Sequence, residues 1–228
     1  MDPQATYDRI AAHFSSTRQY AWPEVESFLA DRSADFALDV GCGNGRHTEL
    51  LAERAARTVG VDVSRGLLAE AVARARDRGF ADRVAFVHGD AATLPITDDA
   101  ASLATYVATI HHLRTRPDRL ASLDELARVL EPGGVALVSA WSTAHDRFDR
   151  ETGFDTTVDW TLPGGETVPR FYHIYAPAEF ERDLDASDLE TVAFEVSSGN
   201  CYAVVRPPGS SGSSGSSVSS RTASNGET

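Results

Sequence analysis

The stretch "LDVGCGNGRHTELL" at residues 38–51 decides how the rest of the chain is read. It starts as an apolar run, passes through three alternating glycines, Gly41, Gly43 and Gly45, and leaves with helical spacing of its apolar residues. Asp39 precedes the first glycine by two positions. Glycine is needed where backbone turns sharply and a ligand must approach without a side chain in the way. The spacing is Gly-any-Gly-any-Gly, not the G-x-G-x-x-G that seats a pyrophosphate on a helix N-terminus. Taken alone, the triplet fits a tight strand-to-helix turn or a nucleotide-binding loop equally well.

Working outward, short runs rich in Val, Leu and Ala alternate with helical stretches. "FALDVG" (36–41), "TVGVDV" (58–63), "RVAFVH" (83–88), "SLATYVA" (102–108) and "GVALVSAW" (134–141) read as strands. Between them, residues 46–56, 64–79 and 117–134 read as helices, the last opening at Pro117 and stopping at Pro132-Gly133. Strand and helix in alternation predict an α/β fold, a mostly parallel sheet with helices on both faces. After Trp141 the rhythm breaks into a polar insertion, 142–175. A helix at 177–187 follows, then strands 190–196 and 201–205, which predict a C-terminal antiparallel hairpin across "SSGN".

Composition bounds the rest. The chain has 228 residues, 42% of them hydrophobic, enough for one folded domain over residues 1–206. From Pro207 to Thr228 Ser and Gly dominate, and that tail is expected to be disordered. Two cysteines, Cys42 and Cys201, with no spaced Cys/His set, point to a reducing cytoplasm and no bound metal. No secretion signal or membrane-length apolar run is read. The net charge is -13, and all 21 basic residues are arginine. An acidic surface without lysine suits a halophilic source, and it argues against nucleic-acid binding except through a local arginine patch.

Two further acids stand where strands end. Asp62 closes the second strand, placed to accept both hydroxyls of a ribose, and Asp90, beside Ala91, follows the third, placed to accept from an adenine amino group. With Asp39 and the glycines this ordered set, across residues 36–141, resembles the class I S-adenosylmethionine (SAM) methyltransferases. The resemblance implies a Rossmann-like, seven-stranded sheet, SAM as cofactor, and cofactor-binding roles for Asp39, Gly41, Gly43, Gly45, Asp62, Asp90 and Ala91. His111 and His112, after the fourth strand, stand where this fold presents residues to the methyl group, as orienting groups or a base.

The opening "YDRIAAHFSSTRQYAWPEVESFL" (7–29) is more specific. Through Tyr7, Ile10, Ala11, His13, Phe14, Ser15, Thr17, Arg18, Trp22 and Pro23 it resembles the tRNA methyltransferases that esterify 5-carboxymethyluridine at the wobble position, a family that includes the methyltransferase part of an AlkB-type tRNA hydroxylase. Arg170, Phe171, Tyr172 and His173, and then Gly199, Asn200 and Tyr202, extend the match to about residue 205. Residues 1–34 and 142–175 become substrate-side segments on this reading. An anionic, flat substrate calls for guanidinium groups and aromatic faces. Arg18 and Arg170, with His111 and His112, are therefore the catalytic candidates. Tyr20, Trp22, Phe171, Tyr172, His173, Asn200 and Tyr202 are the substrate-binding ones. The resemblance also implies the tRNA anticodon loop as a partner. A second implied partner is a small zinc-binding activator subunit pairing with the sheet edge near 83–90. Two alternatives stay open: a small-molecule methyltransferase acting on a quinone precursor or carboxylic acid, and a non-catalytic SAM-binding subunit.

Overall fold

At the centre of the molecule runs β1 (Ala34–Val40), with Leu38 and Val40 turned to one face of a sheet and Ala37 to the other, all buried, as period-two alternation demands of a strand covered on both sides. The computed structural model describes residues 2–209. Of the tail expected to be disordered, 207–228, residues 210–228 lie outside the described residues.

The sheet has seven strands. They are β1, β2 (Ala55–Asp62), β3 (Val84–His88), β4 (Ala101–Val107), β5 (Leu130–Trp141), β8 (Glu190–Ser197) and β9 (Asn200–Arg206). Their order is β3-β2-β1-β4-β5-β9-β8, with the first five parallel and the β8–β9 hairpin antiparallel. Helices α2 (Pro23–Leu29) and α3 (Arg46–Arg54) put Val25, Phe28 and Leu51 on the face that carries Ala37, Leu103 and Leu137. On the opposite face α5 (Arg116–Val129) and α6 (Pro177–Asp185) bring Leu123, Leu126, Phe180 and Leu184 against Leu38, Val40 and Tyr106. The α/β architecture and C-terminal hairpin are those expected from the sequence.

Two expectations need correction. The helix read to Pro132-Gly133 ends at Val129, and Leu130 already pairs with Ala101 in β5. Residues 131–134 are accommodated by a register shift between Ala101 and Leu103, so the Pro-Gly pair sits inside a strand irregularity. The insertion at 142–175 is not simply polar. It holds a separate antiparallel pair, β6 (Phe154–Thr161) and β7 (Thr167–Ile174), whose Val158, Trp160, Val168, Tyr172 and Ile174 are buried.

Helix α1 (Pro3–Thr17) closes the top of the fold. Asp2 caps it, accepting from the Gln4 N–H at 3.0 Å, and Pro3 occupies its first turn, where no N–H is needed. One side of α1 gives Ile10 to a cluster with Trp160 and Val168. The other lies on α4 (Arg65–Asp77), where Asp8 Oδ1 accepts from Ser64 Oγ at 2.7 Å and from the Gly66 N–H at 2.8 Å. Gly66 permits this closeness, because a Cβ there would stand 2.9 Å from the Ala11 methyl and 3.2 Å from the Asp8 backbone. Gly66→Ala is therefore expected to push α1 off α4 and cost about 1–3 kcal/mol. Thermal and urea unfolding, compared with the wild-type chain, measure that loss.

Candidate active site

A cleft of about 600 Å³ opens beyond the carboxyl ends of β1, β2 and β4, under α1. This is where ligands bind in open α/β sheets, and the volume suits a nucleoside-sized molecule with room for an acceptor. The turn after β1 is held from behind. Gly41 and Cys42 donate their N–H groups to the Val61 carbonyl at 2.8 and 3.0 Å. Gly41 has φ +69, and a Cβ there would fall 2.2 Å from Thr109 Oγ1, so no other residue fits the turn.

Asp62 stands at the meeting of two turns. One carboxylate oxygen accepts from the Gly43 N–H at 2.8 Å and the other from the Ser64 N–H at 2.8 Å. Each oxygen keeps a second acceptor site, and Asp62 lines the cleft. Burial raises its pKa while the two N–H groups oppose that rise. Asp90 and Ala91 line the wall further along, where Asp90 Oδ1 accepts from the Ala92 N–H at 2.9 Å. Asp39 and Gly45 are not in the wall. Asp39 lies behind it with its oxygens taken by the hydroxyls of Thr48 (2.6 Å) and Thr105 (2.8 Å), and burial pushes its pKa up to about 6. Gly45 starts α3, packed on Ala71 and Phe86. These residues fit an adenosine-bearing cofactor: a glycine turn that admits close approach, one carboxylate with free acceptor sites for ribose hydroxyls, and another near the third strand for the base.

On the other side of the cleft the two histidines differ. His111 Nδ1 accepts from the Trp141 N–H at 2.9 Å, so its neutral ring carries the proton on Nε2. His112 Nδ1 lies 3.0 Å from the Phe171 carbonyl and must donate, which leaves Nε2 to accept from the Tyr7 hydroxyl at 2.9 Å. Burial drives the pKa of His111 well below the ordinary histidine value and that of His112 down to about 4. Both are neutral near pH 7.

Beside them, Arg170 donates through Nη1 to the Tyr172 hydroxyl at 2.6 Å, and its guanidinium carbon sits 4.9 Å from the centre of the Trp160 ring. Its Nε is buried without a partner. Arg18, from the end of α1, lies 5.2 Å from the same ring. Among the described residues no carboxylate forms an ion pair with either.

Not all substrate-side candidates converge here. Strand alternation sends Arg170 and Tyr172 into the cleft and Phe171 and His173 to the opposite face of β7. Phe171 lies under Arg114, and His173 is held between Asp155 (2.7 Å) and Glu179 (3.1 Å). Tyr20 is 82% exposed. Tyr202 is buried at the edge of Trp22, whereas Asn200 and Trp22 are in the wall. Tyr7 was read only as part of a resemblance, and Trp160 was hidden in the insertion; both prove central. The signal for Trp160 was the alternation of apolar and polar residues from Phe154 to Thr161.

Cleft and sheet together define a class I, SAM-dependent methyltransferase. A methyltransferase-domain family model matches residues 37–134. A putative methyltransferase of Encephalitozoon cuniculi is 34% identical over 177 residues, covering 74% of this chain and 78% of that protein. The chain belongs to the SAM-dependent methyltransferase family. A tRNA (carboxymethyluridine(34)-5-O)-methyltransferase of Arabidopsis thaliana is 37% identical over 141 residues, 61% of this chain, which spans only 32% of that protein's length. A chain in the solved complex between the Haloferax volcanii Trm112 methyltransferase activator and a putative methyltransferase shares the fold. Its TM-score is 0.67 at 16% identity, with 91% of this chain and 98% of that one covered.

The buried histidines generate a pH dependence. His47 is also held well below the ordinary value by burial. Below about pH 6.5 an unfolded chain protonates histidines that the native chain keeps neutral, so stability falls as pH drops from 6.5 towards 4. Asp39, raised to about 6, works in the opposite sense over 6 to 3.8, but three depressed histidines oppose it. The midpoint of thermal unfolding is expected to drop between pH 7 and pH 5 at constant salt, and His112→Gln should make that drop shallower.

Proposed function

We propose that this chain methylates the carboxylate of a 5-carboxymethyl group on a tRNA wobble uridine, forming its methyl ester. The observation that carries this reading is the pair of arginines on Trp160, one of them buried, neither forming an ion pair with a carboxylate among the described residues. An uncompensated buried guanidinium is costly unless a ligand brings the anion. The naming of the Arabidopsis relative supports the same substrate.

The protonation states agree with that chemistry. When bound, SAM would supply a methyl group already activated on a sulfonium, and a carboxylate acceptor would need no deprotonation to accept it. No proton moves, so no general base is needed. His112 has both nitrogens engaged, and His111 offers only an Nε2–H donor. Arg18 and Arg170 hold the oxygen that does not react, because gripping the attacking one would stabilise the ground state more than the transition state. The chain's part is orientation, with Tyr7, Tyr172 and Trp160 fixing the guanidinium groups.

The partners follow from charge and topology. With a net charge of -13, RNA is met through the cleft arginines and in salt that screens the acidic surface, in a halophilic cytoplasm. The free, buried Cys42 and Cys201 suit that reducing compartment. We propose the outer edge of β3, where Ala85 and His88 are exposed, as the docking edge for an activator subunit; that a chain of the same fold has been solved with a methyltransferase activator supports such a partner, while the edge rests on topology. Among the described residues no helix is long and apolar enough to cross a membrane.

In a strain lacking this gene, mass spectrometry of wobble nucleosides is expected to show carboxymethyluridine accumulating at the expense of its ester. An unchanged profile removes the tRNA reading, and turnover on free carboxylic acids without RNA points to a small-molecule acceptor. With purified protein, Arg170→Ala should lower kcat/KM for tRNA by about 100-fold, the size of a lost charge-assisted contact. Calorimetric affinity for SAM should stay within about twofold of wild type, since Arg170 belongs to the acceptor side.

A further inference from the structure

We infer that His13, on α1, is a positioning residue for the acceptor side of the cleft: it fixes the indole of Trp160 and, through that ring, the two arginines that meet the acceptor. This inference rests on Arg18 and Arg170 being the groups that receive the acceptor's carboxylate.

Trp160 is buried, so its indole N–H needs an acceptor inside the protein. His13 supplies one: the Nε1–H donates to His13 Nδ1 at 3.0 Å. An imidazole nitrogen accepts only when it carries no proton, so this bond holds the neutral ring of His13 with its proton on Nε2. The two rings meet at an interplanar angle of 71°, with centres 5.5 Å apart. Phe14, the next residue of α1, lies against the same indole at 5.5 Å, and Ile10 and Val168 complete the apolar packing. Apolar contacts are non-directional and leave the ring free to turn in its own plane. The hydrogen bond is directional and sets that rotation.

The orientation of the indole matters because both guanidinium groups rest on it, Arg170 at 4.9 Å and Arg18 at 5.2 Å from the ring centre, and a cation is held over an aromatic face only while that face stays in place. Arg18, Arg170 and Phe14 line the cleft, whereas His13 and Trp160 stand behind its wall. His13 therefore acts through Trp160 and does not itself meet an acceptor. Its bond joins α1, which ends beside Arg18, to the β6–β7 hairpin, which carries Arg170, across 147 positions of sequence. A second link between the same two segments, Arg9 with Glu166, has both side chains more than half exposed and contributes little. The part-buried N–H to Nδ1 bond is the one that brings the two arginines to bear on a single anion.

The test is nuclear magnetic resonance on the full chain, isotope-labelled at tryptophan nitrogen, with the indole signal of Trp160 identified by its loss in Trp160→Phe. Wild type is expected to show a slowly exchanging indole N–H that shifts when acetate, a carboxylate probe, is titrated in. In His13→Leu, which fills the space but cannot accept, that N–H should exchange with solvent about 10-fold faster and acetate should bind about 3- to 10-fold more weakly. His13→Asn, whose side-chain oxygen takes the place of Nδ1, should restore both. On an anticodon stem-loop carrying 5-carboxymethyluridine, His13→Leu should raise KM while SAM affinity stays within about twofold of wild type, and in a Trp160→Phe background it should add no further loss. Thermal unfolding checks that the variants fold. Unchanged indole exchange in His13→Leu, no rescue by His13→Asn, additive losses in the double variant, or no response of wild type to acetate would overturn the inference. A wild-type chain that leaves the stem-loop unmethylated removes the tRNA reading instead, and the indole and acetate signals, read without RNA, still decide the role of His13.

Discussion

The carboxylate of Asp62 is the strut on which the site depends. It ties the turn after β1, through the Gly43 N–H, to the turn after β2, through the Ser64 N–H. The Ser64 hydroxyl then passes the connection to Asp8 on α1, which also accepts from the Gly66 N–H. One chain of short hydrogen bonds therefore runs from the donor side of the cleft to the helix that roofs it. Burying a carboxylate is unfavourable, and the two backbone donors offset that cost while fixing where its remaining acceptor sites point. The carboxylate that faces the cleft also sets the spacing of the walls around it, as preorganised binding requires.

The charges inside the cleft divide by role. His111 and His112 are neutral, each locked into one tautomer by backbone or tyrosine partners, whereas Arg18 and Arg170 form no ion pair with a carboxylate among the described residues. Such a site is poor at taking protons and good at holding anions. It suits a nucleophile that arrives already ionised. The acidic exterior does not contradict this, because Arg170, buried on the face of Trp160, acts locally, in a cleft where salt screens less than on the open surface.

Much of the fold was legible because its signals are short-range. The five parallel strands carry continuous Val, Leu and Ala, and their ends are marked by glycine or acid, so sheet, turn and donor-side acids were read together. The β6–β7 pair escaped notice because half its residues face solvent: Thr157 and Asp159 dilute the apolar signal of Val158 and Trp160. Without that strand, Arg170 and Phe171 both read as site residues, and only period-two alternation, which turns Phe171 away, separates them. Burial beyond local sequence explains the rest. Tyr20 looked like a stacking group beside Arg18 yet faces solvent, and Asp39 looked like a ligand contact yet spends its oxygens on two threonines from distant segments.

Trp160 has a consequence for how the enzyme is assembled. The donor wall comes from one continuous part of the chain, residues 41–91, on the rigid sheet. The proposed acceptor clamp joins Arg18, near the first helix's end, to Arg170 in a late hairpin, across an indole that belongs to neither arginine's own strand or helix. On the proposed function, the acceptor side is therefore set by a hairpin that is separate in sequence from the donor half.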